Sequence, residues 1–275
     1  MGSFKSFALA GVFAVAASAS SLAADLMPPP HMSYPPAPVE SFSGWYLRGD
    51  VGVGIVDFDS YEGVNTVVGA PTSGYFVESR SIDDQVFVGA GVGYQFNSWL
   101  RFDVTGEYRT STSFRVLERD TNVVPTGYNT ISGHLGSFVG LGNAYIDLGS
   151  WHGVTPFLGA GIGFAHHRMH GVTDVGAGGS AGSIGWGPDQ SETNFAWALQ
   201  AGLGYTVNPN LKLELAYRYL RMGDAESGVV TCNAACPAPI YSLKEIDSHD
   251  LKIGMRWMFA APRYAQMEQP LIRKY

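Results

Sequence analysis

The sequence predicts an all-β protein, an eight-stranded antiparallel transmembrane β-barrel with short periplasmic turns and four long extracellular loops. Three observations carry this reading. The stretch Trp99 to Phe114 alternates with a period of two, with Leu100, Phe102, Val104, Gly106 and Tyr108 on one face and Arg101, Asp103, Thr105, Glu107 and Arg109 on the other. That pattern recurs along the chain. Composition fits it: 35 glycines, 13% aromatic residues and only 15% charged residues coexist with a mean hydropathy of +0.02. Strands with one apolar face and one small or polar face give such numbers. A lipid-facing barrel turns the apolar face to hydrocarbon and the charged face into its lumen, whereas a soluble lipocalin-like barrel does the reverse. Glycines and charges share one face here, which favours the membrane barrel.

The chain opens with Lys5, an apolar run from Phe7 to Ala17 and small residues to Ala24, the three parts of a secretory signal peptide, so residues 1–23 are read as cleaved before Ala24. The apolar run is too short to cross a bilayer. Residues 24–43 hold Pro28, Pro29, Pro30, Pro35, Pro36 and Pro38 and are read as an extended periplasmic linker. The barrel then occupies residues 44–259, and 260–275 form a periplasmic C-terminal extension.

The first strand, about Trp45 to Val56, sets Leu47, Val51, Val53 and Ile55 against Arg48, Asp50, Gly52 and Gly54. The second, about Gln85 to Phe96, sets Val86, Val88, Val92 and Tyr94 against Phe87, Gly89, Gly91 and Gly93; Asn97-Ser98 turns it into the third, beginning at Trp99. A loop is expected from about Thr112 to Gly133. The fourth strand, about Gly136 to Leu148, has the weakest alternation, with Asn143, Tyr145 and Asp147 taken as inward. The turn Gly149 to Gly153 leads to the fifth, where Leu158, Ala160, Ile162 and Phe164 oppose Gly159, Gly161 and Gly163. A glycine-rich loop follows from His170 to Glu192. The sixth strand sets Phe195, Trp197, Leu199, Leu203 and Tyr205 against Gln200, Gly202 and Gly204, and Asn208-Pro209-Asn210 is a tight-turn signal. The seventh sets Leu211, Leu213, Leu215, Tyr217 and Tyr219 against Lys212, Glu214 and Arg218. After a loop from Gly223 to Glu245, the eighth sets Leu251, Ile253, Met255, Trp257 and Phe259 against Asp250, Lys252, Gly254 and Arg256.

Long connections follow strands one, three, five and seven, and short ones follow two, four and six, which puts both ends of the barrel in the periplasm. Aromatics gather at the strand ends as two interfacial girdles. Loss of Lys5 leaves 16 Lys and Arg against 24 Asp and Glu, a formal charge near minus eight, so nucleic acid is excluded as a partner.

The segments Gly44-Trp45-Tyr46-Leu47-Arg48-Gly49-Asp50, Arg101 to Arg109 and Asn143-Ala144-Tyr145-Ile146-Asp147-Leu148-Gly149 resemble those of the porin-family outer-membrane surface proteins of alphaproteobacteria, over roughly Ser43 to Phe259. The resemblance implies residence in the outer membrane. It also implies a part in envelope integrity, with host contact or haem binding in some members. The expected partners are outer-membrane lipid and lipopolysaccharide, the barrel-assembly machinery, and a host surface or haem met by the loops.

His166, His167 and His170 are the candidate haem or metal ligands. On a straight strand His166 and His170 would lie roughly 13 Å apart at ~3.3 Å per residue, with His167 on the other face, which weighs against one shared metal. No cofactor is therefore expected. No catalytic constellation emerges either. Ser248 and His249 are adjacent and face opposite ways, Ser132 and His134 have no acidic third member, and no nucleophile elbow is present, so the sequence argues against an enzyme.

Export places Cys232 and Cys236 in an oxidising compartment, where they are expected to form a disulfide. Inward charges are expected to fill the lumen: Arg48, Asp50, Arg101, Asp103, Glu107, Arg109, Lys212, Glu214, Arg218, Asp250, Lys252 and Arg256. Counted from the periplasmic end, Glu107 and Arg218 should sit at similar height, as should Asp103 and Lys212. An eight-stranded barrel has room for little else, so it should be closed to general diffusion.

Overall fold

The protein was analysed as a computed structural model that describes residues 43–66, 69–233 and 238–259. The signal segment 1–23, all of the Pro-rich linker except Ser43, the extension 260–275 and Cys236 lie outside the described residues.

Among the described residues eight long strands close a ring. They are β1 (Gly44–Asn65), β2 (Gln85–Gln95), β3 (Leu100–Asp120), β4 (Gly127–Asp147), β5 (Val154–Gly178), β6 (Gln190–Thr206), β7 (Leu211–Glu226) and β8 (Pro239–Met258). Each pairs antiparallel with its neighbour in sequence, and β1 pairs with β8 from Tyr46↔Met258 to Asn65↔Pro239 to close the circle. Closure leaves the membrane-level backbone no free edge, as hydrocarbon requires.

Two of the three short turns have a common cause. Asn97 Oδ1 accepts from the amides of Trp99 (2.9 Å) and Leu100 (2.7 Å), and Asn208 Oδ1 accepts from Asn210 and Leu211 (both 2.9 Å). Each asparagine side chain thus supplies the acceptor that a two-strand reversal lacks.

At the other end the strands run much farther than the alternation predicts. The expected loops Thr112–Gly133, His170–Glu192 and Gly223–Glu245 are largely strand: β3 continues to Asp120, β4 begins at Gly127, β5 continues to Gly178, and β8 begins at Pro239. Short strands complete this outer wall, Tyr75–Ile82 against β3 and Ile184–Gly187 between β5 and Thr231–Cys232. The physical reason is an inversion of polarity. Between the girdles the exposed face carries residues such as Val53, Val104, Ile162 and Leu203, and the buried face carries charges. Beyond Ile55, Tyr108, Phe164 and Leu251 the exposed face turns polar, with Asp57, Arg115 and Arg168. There the buried face turns apolar, with Phe58, Phe114, Val116, Ile131, Leu135, Met169, Leu220 and Ile246.

The barrel therefore continues out of the membrane with an ordinary hydrophobic core, on β1, β3, β4, β5 and β8 for about ten residues, or roughly 30 Å. Bulges mark the change. The register shifts between Arg109 and Thr112 and between Arg221 and Gly223, so the inward set moves from Arg109 to Thr112, Phe114 and Val116. Gly223 takes the left-handed backbone conformation that the second bulge needs (φ 80°).

Candidate functional site

The lumen within the membrane holds ionic clusters whose members come from strands far apart in sequence. In the lower cluster Arg48 bonds Asp50 (2.8 Å), Asp103 (2.7 Å) and, more loosely, Glu214 (3.4 Å). Glu214 is also within ion-pair distance of Arg101 (3.2 Å) and Arg256 (2.9 Å). In the upper cluster Glu107 and Asp250 each take both Arg109 and Arg218, at 2.5 to 2.9 Å. Lys252 stands 3.9 Å from Asp50. Every one of these side chains is almost wholly buried. Aromatic rings separate the guanidinium groups: Arg101 lies 4.0 Å from the Tyr145 ring centre, and Arg109 and Arg218 lie 4.8 and 5.2 Å from Phe87.

Inward glycines make the space for this packing. A Cβ at Gly159 would fall 2.6 Å from the Tyr145 ring, and one at Gly52 2.5 Å from Phe87.

Glu107 and Arg218, expected at similar height, are in contact at 2.8 Å. Asp103 is taken up by Arg48, by Asn143 Nδ2 (2.9 Å) and by the Tyr46 hydroxyl (3.1 Å), while Lys212 lines the periplasmic mouth with Asp147 and Gln95. Arg48 reaches Asp103 because only β2 stands between their strands, and its inward residues there, Gly91 and Gly93, carry no side chain to block the way. Asp147, absent from the predicted set, binds Arg101 at 3.1 Å. Its inward position was readable, but the weak alternation of β4 gave no reason to count it among the charges.

The three histidines do not converge. His167 points inward between the Ser137 hydroxyl (2.8 Å) and the Met222 carbonyl (3.0 Å), and burial pushes its imidazole down to about 4. His166 and His170 face outward. His166 bonds Thr193, and His170 stacks on His134 with ring centres 5.3 Å apart. Among the described residues no three His, Cys, Asp or Glu side chains converge to hold a metal ion. Outside the wall His166, Arg168 and His170 rim a groove with Tyr108 and Phe138, just above the apolar band.

A second set of polar side chains lies in the extracellular mouth, in strand that the alternation left as loop. A cavity of about 230 Å³ is walled by Glu118 and Asp120 of β3, Asn129 of β4, Asp174 of β5 and Tyr241 of β8, with Tyr75, Ser180, Ser183 and Cys232. The signal for it was present as Phe114-x-Val116-x-Glu118-x-Asp120, an alternation resumed one residue out of phase after the bulge. Burial, reinforced by the nearby Asp174 and Asp120 carboxylates, pushes Glu118 up to about 7. Burial also raises Asp174, against the bond it accepts from the Tyr241 hydroxyl at 2.5 Å.

A closed antiparallel ring, an apolar outer band and a charged lumen are the properties of one class of protein, and comparison with known families agrees. The outer membrane protein beta-barrel domain matches residues 6–259. The chain belongs to this family. It is accordingly an integral protein of the outer membrane. An uncharacterized protein of Brucella abortus (strain 2308) is 32% identical over 212 residues, covering 69% of this chain and 72% of its own length. A protein of Rickettsia prowazekii (strain Madrid E), provisionally named an adhesin, is 24% identical over 216 residues, covering 78% of this chain and 86% of its own. Among solved structures, Neisserial surface protein A aligns with a TM-score of 0.39 at 19% identity, over 79% of this chain and 98% of that one.

Proposed function

We propose that this family member is a non-enzymatic structural and surface protein of the outer membrane, contributing to envelope integrity and closed to general diffusion. The observation that supports closure is the filled lumen. Two ionic clusters and the aromatic rings between them occupy the membrane level, and an apolar core stands above them. A narrow solute channel is the competing reading, and purified protein in planar bilayers separates the two. Closure predicts no unit conductance, and a reproducible conductance step in salt would refute it.

Contact with a host surface is the second reading, favoured by the relative of Rickettsia prowazekii named as an adhesin and by the tall outer wall. Deleting the hairpin tips between Asp120 and Gly127 and between Glu226 and Pro239 should then reduce cell attachment while leaving the barrel folded. The groove of His166, Arg168 and His170 lies where lipopolysaccharide head groups would meet the wall, with the apolar band below it for lipid. Haem binding has less support, since the histidines face different ways. Assembly would pass through the barrel-assembly machinery, as for other proteins built this way. The Cys232–Cys236 bridge stays part of the proposal because Cys236 lies outside the described residues; thiol labelling of unreduced folded protein should modify neither cysteine.

A further inference from the structure

The extracellular cavity has a chemistry that neither structural support nor adhesion accounts for. Three carboxylates, Glu118, Asp120 and Asp174, share its wall, and no Lys, Arg or His is among the residues that line it. All three are at least nine-tenths buried. Asp120 is partly satisfied, by the Asn122 amide (2.8 Å) and the Ser180 hydroxyl (3.3 Å). Two other acceptors are not. Asp174 Oδ1 and Asn129 Oδ1 have no hydrogen-bond partner, although their side chains are only 9% and 8% exposed. Buried acceptors left unmade cost free energy, and several converging on one cavity define a place for a donor.

The occupant implied is positively charged and carries several N–H groups. A coordinated metal fits less well, because among the described residues no three carboxylate, His or Cys side chains converge to hold one. The tyrosines Tyr75 and Tyr241 add aromatic wall of the kind that favours an organic cation. The volume, about 230 Å³, suits a small aliphatic chain with its ammonium head.

We propose that this cavity is a binding site for a primary ammonium group, presented by a free aliphatic amine or by a lysine side chain. The site is independent of whether the outer wall is adhesive or the lumen closed. Binding should strengthen between pH 6 and 8, because Glu118, held up by burial and by the facing Asp174 and Asp120, gains its charge across that interval. The tyrosines in and behind the wall, Tyr61, Tyr75 and Tyr241, are themselves raised and stay neutral there.

The experiment is calorimetric titration of the folded full chain in detergent with putrescine, with the tripeptide Gly-Lys-Gly blocked by N-acetylation and C-terminal amidation, with 1,4-butanediol and with calcium chloride. The proposal expects saturable one-site binding of putrescine or the tripeptide, and none of butanediol. Putrescine alone would point to a free amine as the source, and the tripeptide binding as well or better to a protein side chain. Asp174→Asn and Glu118→Gln should each weaken binding roughly tenfold, the scale of one lost charge-assisted hydrogen bond. Asn129→Asp, which adds a charge to the wall, should tighten it, so the proposal can fail even if a weakening variant misfolds. No saturable amine binding, binding indifferent to all three substitutions, or calcium displacing the amine at equal concentration would each overturn the assignment.

Discussion

Glu107→Ala removes one of two carboxylates that together hold two arginines. In the intact cluster Glu107 Oε1 takes Arg109 Nε (2.9 Å) and Arg218 Nη2 (2.9 Å), Oε2 takes Arg218 at 2.8 Å, and Asp250 takes both arginines from the other side. The substitution leaves two guanidinium groups on one carboxylate, all of them buried. Stranding a buried charge costs roughly 3 to 5 kcal/mol, and the lower end applies because Asp250 remains. Adding Arg218→Ala restores a one-to-one pair of Arg109 with Asp250. The double variant should therefore be more stable than the sum of the two losses by about 2 kcal/mol, well above the roughly 0.5 kcal/mol within which independent sites add. Urea unfolding in lipid vesicles, followed by tryptophan fluorescence, measures all four corners of the cycle. Additive losses, or a Glu107→Ala variant as stable as the parent, would mean that water screens these charges, and the account of a filled lumen would fall with them.

Orientation is checked by cysteine labelling in a background lacking Cys232 and Cys236: Asn122→Cys should react with an impermeant maleimide on intact cells and Asn208→Cys only after permeabilisation, and the opposite pattern would invert the topology. Glu118 has a folded-state pKa near 7 against 4.5 unperturbed, so the folded protein binds the extra proton. Stability should then fall as pH rises from about 4.5 to 7, by on the order of 3 kcal/mol at most, and Glu118→Gln should flatten that slope in pH-dependent urea titrations. Gly159→Ala sets a methyl 2.6 Å from the Tyr145 ring and 3.0 Å from Gln200 Cγ, both side-chain atoms. It should cost roughly 1 to 3 kcal/mol as overpacking, and Tyr145→Leu should cost less in that background than alone; equal costs would show that the ring and the glycine are not packed as one unit.

What the sequence revealed was set by where the solvent changes. Within the bilayer the rule of apolar outside and charged inside is strict, because an outward charge at that depth would face hydrocarbon. Leu213, Glu214, Leu215, Tyr217 and Arg218 accordingly announce both strand and facing. The inward charges were legible one by one, but their partners were not. Partnership depends on what the intervening strand leaves open, and the glycines of β2 let Arg48 reach Asp103; alternation within a single strand says nothing about that. Asp147 was placed inward by its parity yet missed as an ion-pair partner, since Gly140, Gly142 and Ala144 blur the contrast around it.

The outer half was misread because the solvent outside the strands changes along their length. Above the girdles both faces exchange character, so a reader following the lipid-facing apolar series meets Thr110, Ser111 and Ser113 and concludes that the strand has ended. It has only changed solvent. With water outside, the inward positions can build a conventional core, and Phe114, Ile131, Leu135 and Leu220 do so. That core gives a packed interior to a wall that would otherwise be loop. It also sets the mouth apart, because a carboxylate placed above a dry apolar layer cannot reach the arginines below. Glu118 and Asp174 are thereby set apart from the lumenal arginines while still buried by their neighbours, and a cation that meets them comes from outside the protein.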